Sequence, residues 1–76
     1  MDTEGRSLSA LVKEIRRQLS LSQEDLARQL GVSYATVNRW ENGLSKPSKL
    51  AKAQLESFCK KMTGQGKLTL PEGDRR

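Results

Sequence analysis

The chain has 76 residues, one cysteine, no histidine and a formal net charge of +5, with 30% of its residues charged. One cysteine forbids an intrachain disulfide, and without histidine or a Cys/Asp/Glu cluster at ligand spacing no metal, cofactor or small-molecule site is evident. No apolar run is long enough to span a membrane and nothing at the start reads as a signal peptide, so a single small domain held by packing alone, in a reducing cytoplasm, is expected.

Catalysis is equally poorly supplied. The serines have no base partner in view, and the carboxylate pair Glu24–Asp25 sits where negative charge complements the positive end of a helix. An enzyme is therefore not expected. The basic excess favours a polyanionic partner instead.

Residues 1–7, MDTEGRS, are polar and are expected to form a flexible N-terminus. From there Leu8, Leu11, Val12, Ile15 and Leu19 recur at helical spacing and predict a first helix over about 8–19, with Ser7 as its N-cap. Lys13, Glu14 and Arg17 turn away from that stripe. A second helix starts at Ser22, which can cap the amide of Asp25 while Asp25 completes a capping box. Leu21 and Leu26 form a hydrophobic staple around the same start. Leu26, Ala27 and Leu30 make the inner face, and Gly31 can end the helix in the left-handed conformation.

The start signal then repeats. Ser33 is a second N-cap, with Val32 and Val37 as its staple, and only a short turn remains between the two helices. Such a pair must cross steeply. Asn42–Gly43 marks the end of the third helix. Pro47 keeps LSKPS a loop, and either Ser45 or Ser48 can cap a fourth helix over about 49–61. There Ala51, Leu55, Phe58 and Met62 share one face, flanked by Leu50 and Cys59, while Lys52, Lys60 and Lys61 lie outside. Residues 63–76 are Gly-rich with a weak alternation from Lys67 to Leu70. They are expected to be a flexible tail, a short strand pairing with a second chain being the alternative.

A helical wheel of the third helix puts Val37 and Trp40 inward, with Ser33 and Tyr34 at the margins. Ala35, Asn38, Arg39 and Asn42 fall on the opposite side, which carries no acid. Glu41 falls on the inner half, where a carboxylate is costly unless paired. Arg16 flanks the apolar stripe of the first helix and can reach it, so a structural Arg16–Glu41 salt bridge is predicted.

At this point the run Ser22–Gly43, SQEDLARQLGVSYATVNRWENG, resembles the helix-turn-helix of Cro/repressor-type (XRE) DNA-binding domains. Gln23 opens the second helix, Ala27 is the small residue at the helix contact, Gly31 sits in the turn, and Glu41-Asn42-Gly43 matches the motif's ending. The resemblance extends from Leu8 to Met62 and includes Arg16 as the partner of Glu41. It implies an all-α, lambda-repressor-like bundle of four helices, or five if the family's short last helix is counted, although that helix is not evident here. It also implies that Ser33, Tyr34, Ala35 and Arg39 approach base edges in the major groove, with Asn38 nearby. Gln23, Asn42 and Lys46 match phosphate-binding positions. Leu44 departs from the basic or polar residue often found in that loop, and Tyr34 and Ala35 replace the glutamines of some phage repressors.

The side-chain chemistry agrees. Arg39 can bond guanine bidentately, Asn38 can read adenine, and Tyr34 and Ala35 can lie against a thymine methyl. Lys49 and Arg28 add charge at the rim, and the amide ends of the second and fourth helices suit phosphates. The plainer roles of these residues are first-turn propensity for Gln23, packing for Tyr34 and solubility for Arg28 and Lys49. The expected function is sequence-specific double-stranded DNA binding through residues 33–42, as a transcriptional regulator or repressor. An antitoxin, a restriction-modification controller or a protein-interaction adaptor are the alternatives. A homodimer on paired half-sites is expected, with the apolar side of helix 4 and Leu68–Leu70 as candidate surfaces.

Overall fold

The computed structural model describes residues 4–69, with side chains from Leu8 onward. Those residues form four helices and no strand: α1 (Glu4–Leu19), α2 (Gln23–Leu30), α3 (Tyr34–Glu41) and α4 (Lys49–Gly64). The helix starts follow the serines. Ser22 Oγ accepts the Asp25 amide at 2.9 Å and the Ser22 amide reaches Asp25 Oδ2 at 3.1 Å, which completes the capping box. Ser33 Oγ accepts the Thr36 amide at 3.1 Å. Ser48 and not Ser45 caps α4, accepting the Ala51 amide at 3.1 Å. Ser7 is not a cap. α1 begins at Glu4, which leaves Ser7 inside the helix, where a serine costs under about 0.7 kcal/mol relative to alanine.

All four described helices close with the same backbone device. A left-handed residue turns the chain, and the following amide reaches back to a carbonyl one turn earlier. After α2 this residue is Gly31, with φ +74°, and Val32 N bonds Ala27 O at 3.0 Å. After α1 it is Ser20, with φ +56°, and Leu21 N bonds Arg16 O at 2.9 Å. Gly43 and Gly66 occupy the same place after α3 and α4.

Val12, Ile15, Leu26, Ala27, Leu30, Val37, Trp40, Ala51, Leu55 and Phe58 fill one core drawn from all four helices. Each large apolar side chain there contributes roughly 1.5–3 kcal/mol by leaving water. α3 packs on both α1 and α2, and α2 also packs on α4. α3 is therefore clamped from behind by two neighbours.

Three expectations fail at the C-terminal side. The flexible tail expected from Thr63 does not begin there. α4 continues to Gly64, and Leu68 returns to the core at 2% exposure. Gln18 holds the returning segment, donating from Nε2 to Thr69 O at 2.7 Å and accepting the Thr69 amide on Oε1 at 2.8 Å. Leu68 is thus no dimer surface, and Leu70 lies outside the described residues. Nor is the apolar side of α4 free, since Ala51, Leu55 and Phe58 are buried within this chain. Leu50, placed beside that face by the wheel, is 72% exposed. Among the described residues no helix is long and apolar enough to cross a membrane.

Candidate nucleic-acid interface

The outer face of α3 is open, and Tyr34 is 51% exposed. Ser33, Ala35, Arg39 and Asn42 are exposed, and Asn38 is half-buried. Behind them Val37 and Trp40 are fully enclosed. The one acid of this helix, Glu41, is turned inward at 5% exposure. The outward face consequently presents cationic and neutral polar groups with no carboxylate to repel a phosphate. Arg39 forms no ion pair or side-chain hydrogen bond among the described residues, so its five N–H donors remain available.

Glu41 is held by the predicted partner. Arg16 Nε donates to Oε2 at 2.6 Å and Nη2 to Oε1 at 3.0 Å, the two-pronged geometry that a guanidinium and carboxylate share. Arg16 Nη1 also donates to the Leu21 carbonyl at 3.1 Å, and the Ser9 hydroxyl donates to the Glu41 carbonyl. One ion pair therefore ties α1, the α1–α2 turn and the end of α3. Burial pushes the Glu41 carboxyl up. Hydrogen bonds from Arg16 and Gln23 and the charges of Arg16 and Lys13 outweigh that push, and its pKa lies below the usual range.

A feature absent from the sequence reading begins at the same carboxylate. Gln23, the first residue of α2, donates from Nε2 to Glu41 Oε1 at 3.0 Å. Its Oε1 accepts from Asn38 Nδ2 at 3.2 Å, and Asn38 Oδ1 accepts from Asn42 Nδ2 at 3.0 Å. Three expected DNA contacts, Gln23, Asn38 and Asn42, are thereby one hydrogen-bonded chain. The i, i+4 spacing of Asn38 and Asn42 carried a signal for the last bond. The reach of Gln23 across to α3 depends on the helix crossing and carried none.

The remaining expected contacts are arranged less tightly. Ser33 spends its hydroxyl on the cap and on Thr36 Oγ1 at 2.9 Å. Lys46, in the α3–α4 loop, and Lys49, in the first turn of α4, are exposed. Arg28 donates to Asp25 at 2.7 Å, which partly offsets its charge at the rim. A concavity of about 800 Å³ lies between α1 and α4 and includes Leu8, Leu11, Leu55 and Cys59. It shares no residue with α2 or α3. Burial, then the Glu56 charge, raises the Cys59 thiol and keeps it protonated.

Residues 12–53 match a family described as helix-turn-helix. The chain is also 41% identical over 49 residues to the type II methyltransferase M1.ScrFI of Lactococcus lactis subsp. cremoris. That match covers 60% of this chain but only 13% of the relative. No solved structure gives a significant match. The matched span runs from the core of α1 into α4 and contains the whole clamped pair α2–α3: the chain belongs to the XRE-type helix-turn-helix family of DNA-binding domains.

Proposed function

We propose that this domain binds double-stranded DNA sequence-specifically, laying the outer face of α3 in the major groove. The observation that carries the reading is that face itself: Tyr34, Ala35, Arg39 and Asn42 exposed, its only acid buried behind it. Arg39 is the residue suited to a bidentate bond with guanine. Tyr34 and Ala35 offer apolar surface to a thymine methyl, and Asn38 adds a polar contact. Gln23, Asn42, Lys46 and Lys49 are proposed to hold phosphates on either side, helped by the amide ends of α2 and α4.

A single module of this kind buries on the order of 600–1,000 Å² on DNA. Tight binding then calls for a second copy on a half-site about one helical turn away. The resulting homodimer on DNA is proposed to act as a transcriptional regulator, as a repressor where its site overlaps a promoter. A second reading, a controller within a restriction-modification system, draws support from one finding: the matched segment is a small part of a protein named as a type II methyltransferase.

Selection of bound sites from random duplexes tests the proposal. The expected result is an enriched motif containing guanine, repeated in paired half-sites. Binding to about five phosphates should also give a log–log salt slope near roughly −4 to −5. No enrichment together with a flat salt response would overturn the reading and leave a protein-interaction module.

A further inference from the structure

We propose that Glu41 is a positioning residue for base reading: through Gln23 it fixes which end of the Asn38 carboxamide faces the groove, so that Asn38 offers an N–H donor. This deepens the DNA-binding reading above and rests on it.

A carboxamide has a donor end and an acceptor end of nearly the same shape, and an isolated one turns over at little cost. An ionised carboxylate only accepts. Glu41 therefore requires Gln23 to present Nε2, which it does at 3.0 Å. The Gln23 oxygen must then face away, and it takes Asn38 Nδ2 at 3.2 Å. The Asn38 oxygen in turn takes Asn42 Nδ2 at 3.0 Å. Reversing any single amide sets oxygen against oxygen or N–H against N–H at a junction of the chain. Reversing all three sets the Gln23 oxygen against the carboxylate. One buried charge thus imposes a single polarity on the polar surface between α2 and α3. The Arg16 guanidinium stabilises that polarity by keeping the carboxylate ionised.

The consequence falls on Asn38. Its oxygen points to Asn42 and already accepts one hydrogen bond, leaving a single lone pair, while its second amide proton is uncommitted. An unconstrained asparagine would pair with adenine through both ends, accepting from N6 and donating to N7. Asn38 as held here donates. It suits an acceptor edge, such as guanine N7 and O6 or thymine O4, and disfavours cytosine, whose major-groove edge offers only a donor. Gln23 and Asn42 each keep one spare N–H as well, which suits phosphate oxygens.

The test uses Gln23→Met, which breaks the relay and leaves both Arg16–Glu41 hydrogen bonds in place. Asn38→Ala first identifies the base pair beneath Asn38, as the position where preference disappears in competition binding. At that position the wild type should prefer guanine or thymine over cytosine by about tenfold, and Gln23→Met should reduce the preference to about twofold or less. The preference assigned to Arg39 should stay unchanged. In the free protein, the side-chain amide proton signals of Asn38 and Asn42 should shift in Gln23→Met and lose protection from exchange. If Gln23→Met weakens every duplex equally and keeps the preference, the relay does not set polarity and the proposal is overturned while DNA binding stands. Unchanged amide signals overturn it in the same way. A wild type with no sequence preference overturns both this proposal and the reading beneath it.

Discussion

Arg16 and Glu41, 25 residues apart in sequence, meet in a two-pronged ion pair at 2.6 and 3.0 Å, with Glu41 5% and Arg16 27% exposed. Truncating Arg16 strands a carboxylate that is almost without water. Arg16→Ala should therefore lower unfolding free energy by about 2–4 kcal/mol, below the fully buried case because Arg16 is partly wetted. A domain of this length is stable by only about 4–11 kcal/mol, so the loss will be plain in a urea titration. A shift under about 0.5 kcal/mol would show that the pair is ornamental.

The same pair makes stability depend on acid. Burial works against the ionised Glu41, but the Arg16 and Gln23 hydrogen bonds leave its folded pKa below the ordinary glutamate value. As pH falls, the unfolded chain takes up the proton first, near its reference value of about 4.3. The contribution is therefore complete above that range and disappears as pH falls through the lower folded pKa. Glu14 is likewise lowered, to about 2, by hydrogen bonds from Arg17 and Gln18, but its Arg17 partner is solvent-exposed, so the pair counts for less. Urea midpoints measured from neutrality down to about pH 3 should fall more steeply in the wild type than in Glu41→Gln. Parallel curves would contradict this assignment.

What the sequence made legible, and what it did not, follows from range. The caps at Ser22 and Ser33, the turn at Gly31 and the inward Val37 and Trp40 depend on contacts within one helical turn or on strict periodicity, and all can be read from the string. The Arg16–Glu41 pair was legible for another reason: an acid on an apolar face demands a partner. Leu68 carried no such demand. Leu68 and Leu70 alternate only weakly in a Gly-rich segment, and the burial of Leu68 depends on α4 running to Gly64 and on Gly66 turning the chain back. The Gln23–Asn38 bond was hidden likewise, because it depends on how α2 crosses α3.

Leu68 should matter in proportion to its burial. At 2% exposure, Leu68→Ala removes a filled core position and should cost about 2–4 kcal/mol. Gln18→Ala should cost less, about 1 kcal/mol, because the Thr69 bonds it loses lie at the surface. Thermal unfolding of the two variants distinguishes a packed segment from a decorative one, since a freely moving tail would leave both unchanged.

Ser20 and Gly31 do the same backbone work with different residues. Ser20 holds φ +56° with a side chain, and Gly31 holds φ +74° without one. Ser20→Gly should relieve left-handed strain and stabilise the domain by up to about 1 kcal/mol, net of the extra freedom glycine has when unfolded. Gly31→Ala should cost about 1 kcal/mol or slightly more. The added Cβ meets only Gln54 Nε2 at 4.0 Å, so the cost is conformational rather than a clash. Opposite signs in calorimetry are the expected result.

Arg39 and Lys46 should separate reading from holding. Arg39 is exposed on α3, without a side-chain partner among the described residues, and its proposed bond is to a base. Arg39→Ala should weaken the selected site by about 1–3 kcal/mol, with a much smaller effect on random duplex. Lys46 lies in the loop before Ser48, and its proposed contact is to phosphate. Lys46→Ala should weaken both duplexes by a similar factor and reduce the salt slope by about one. Binding measured on the two duplexes across a salt series gives four responses from two variants. If Arg39→Ala instead lowers both affinities equally, α3 touches the backbone alone, and the register of the helix in the groove must be redrawn.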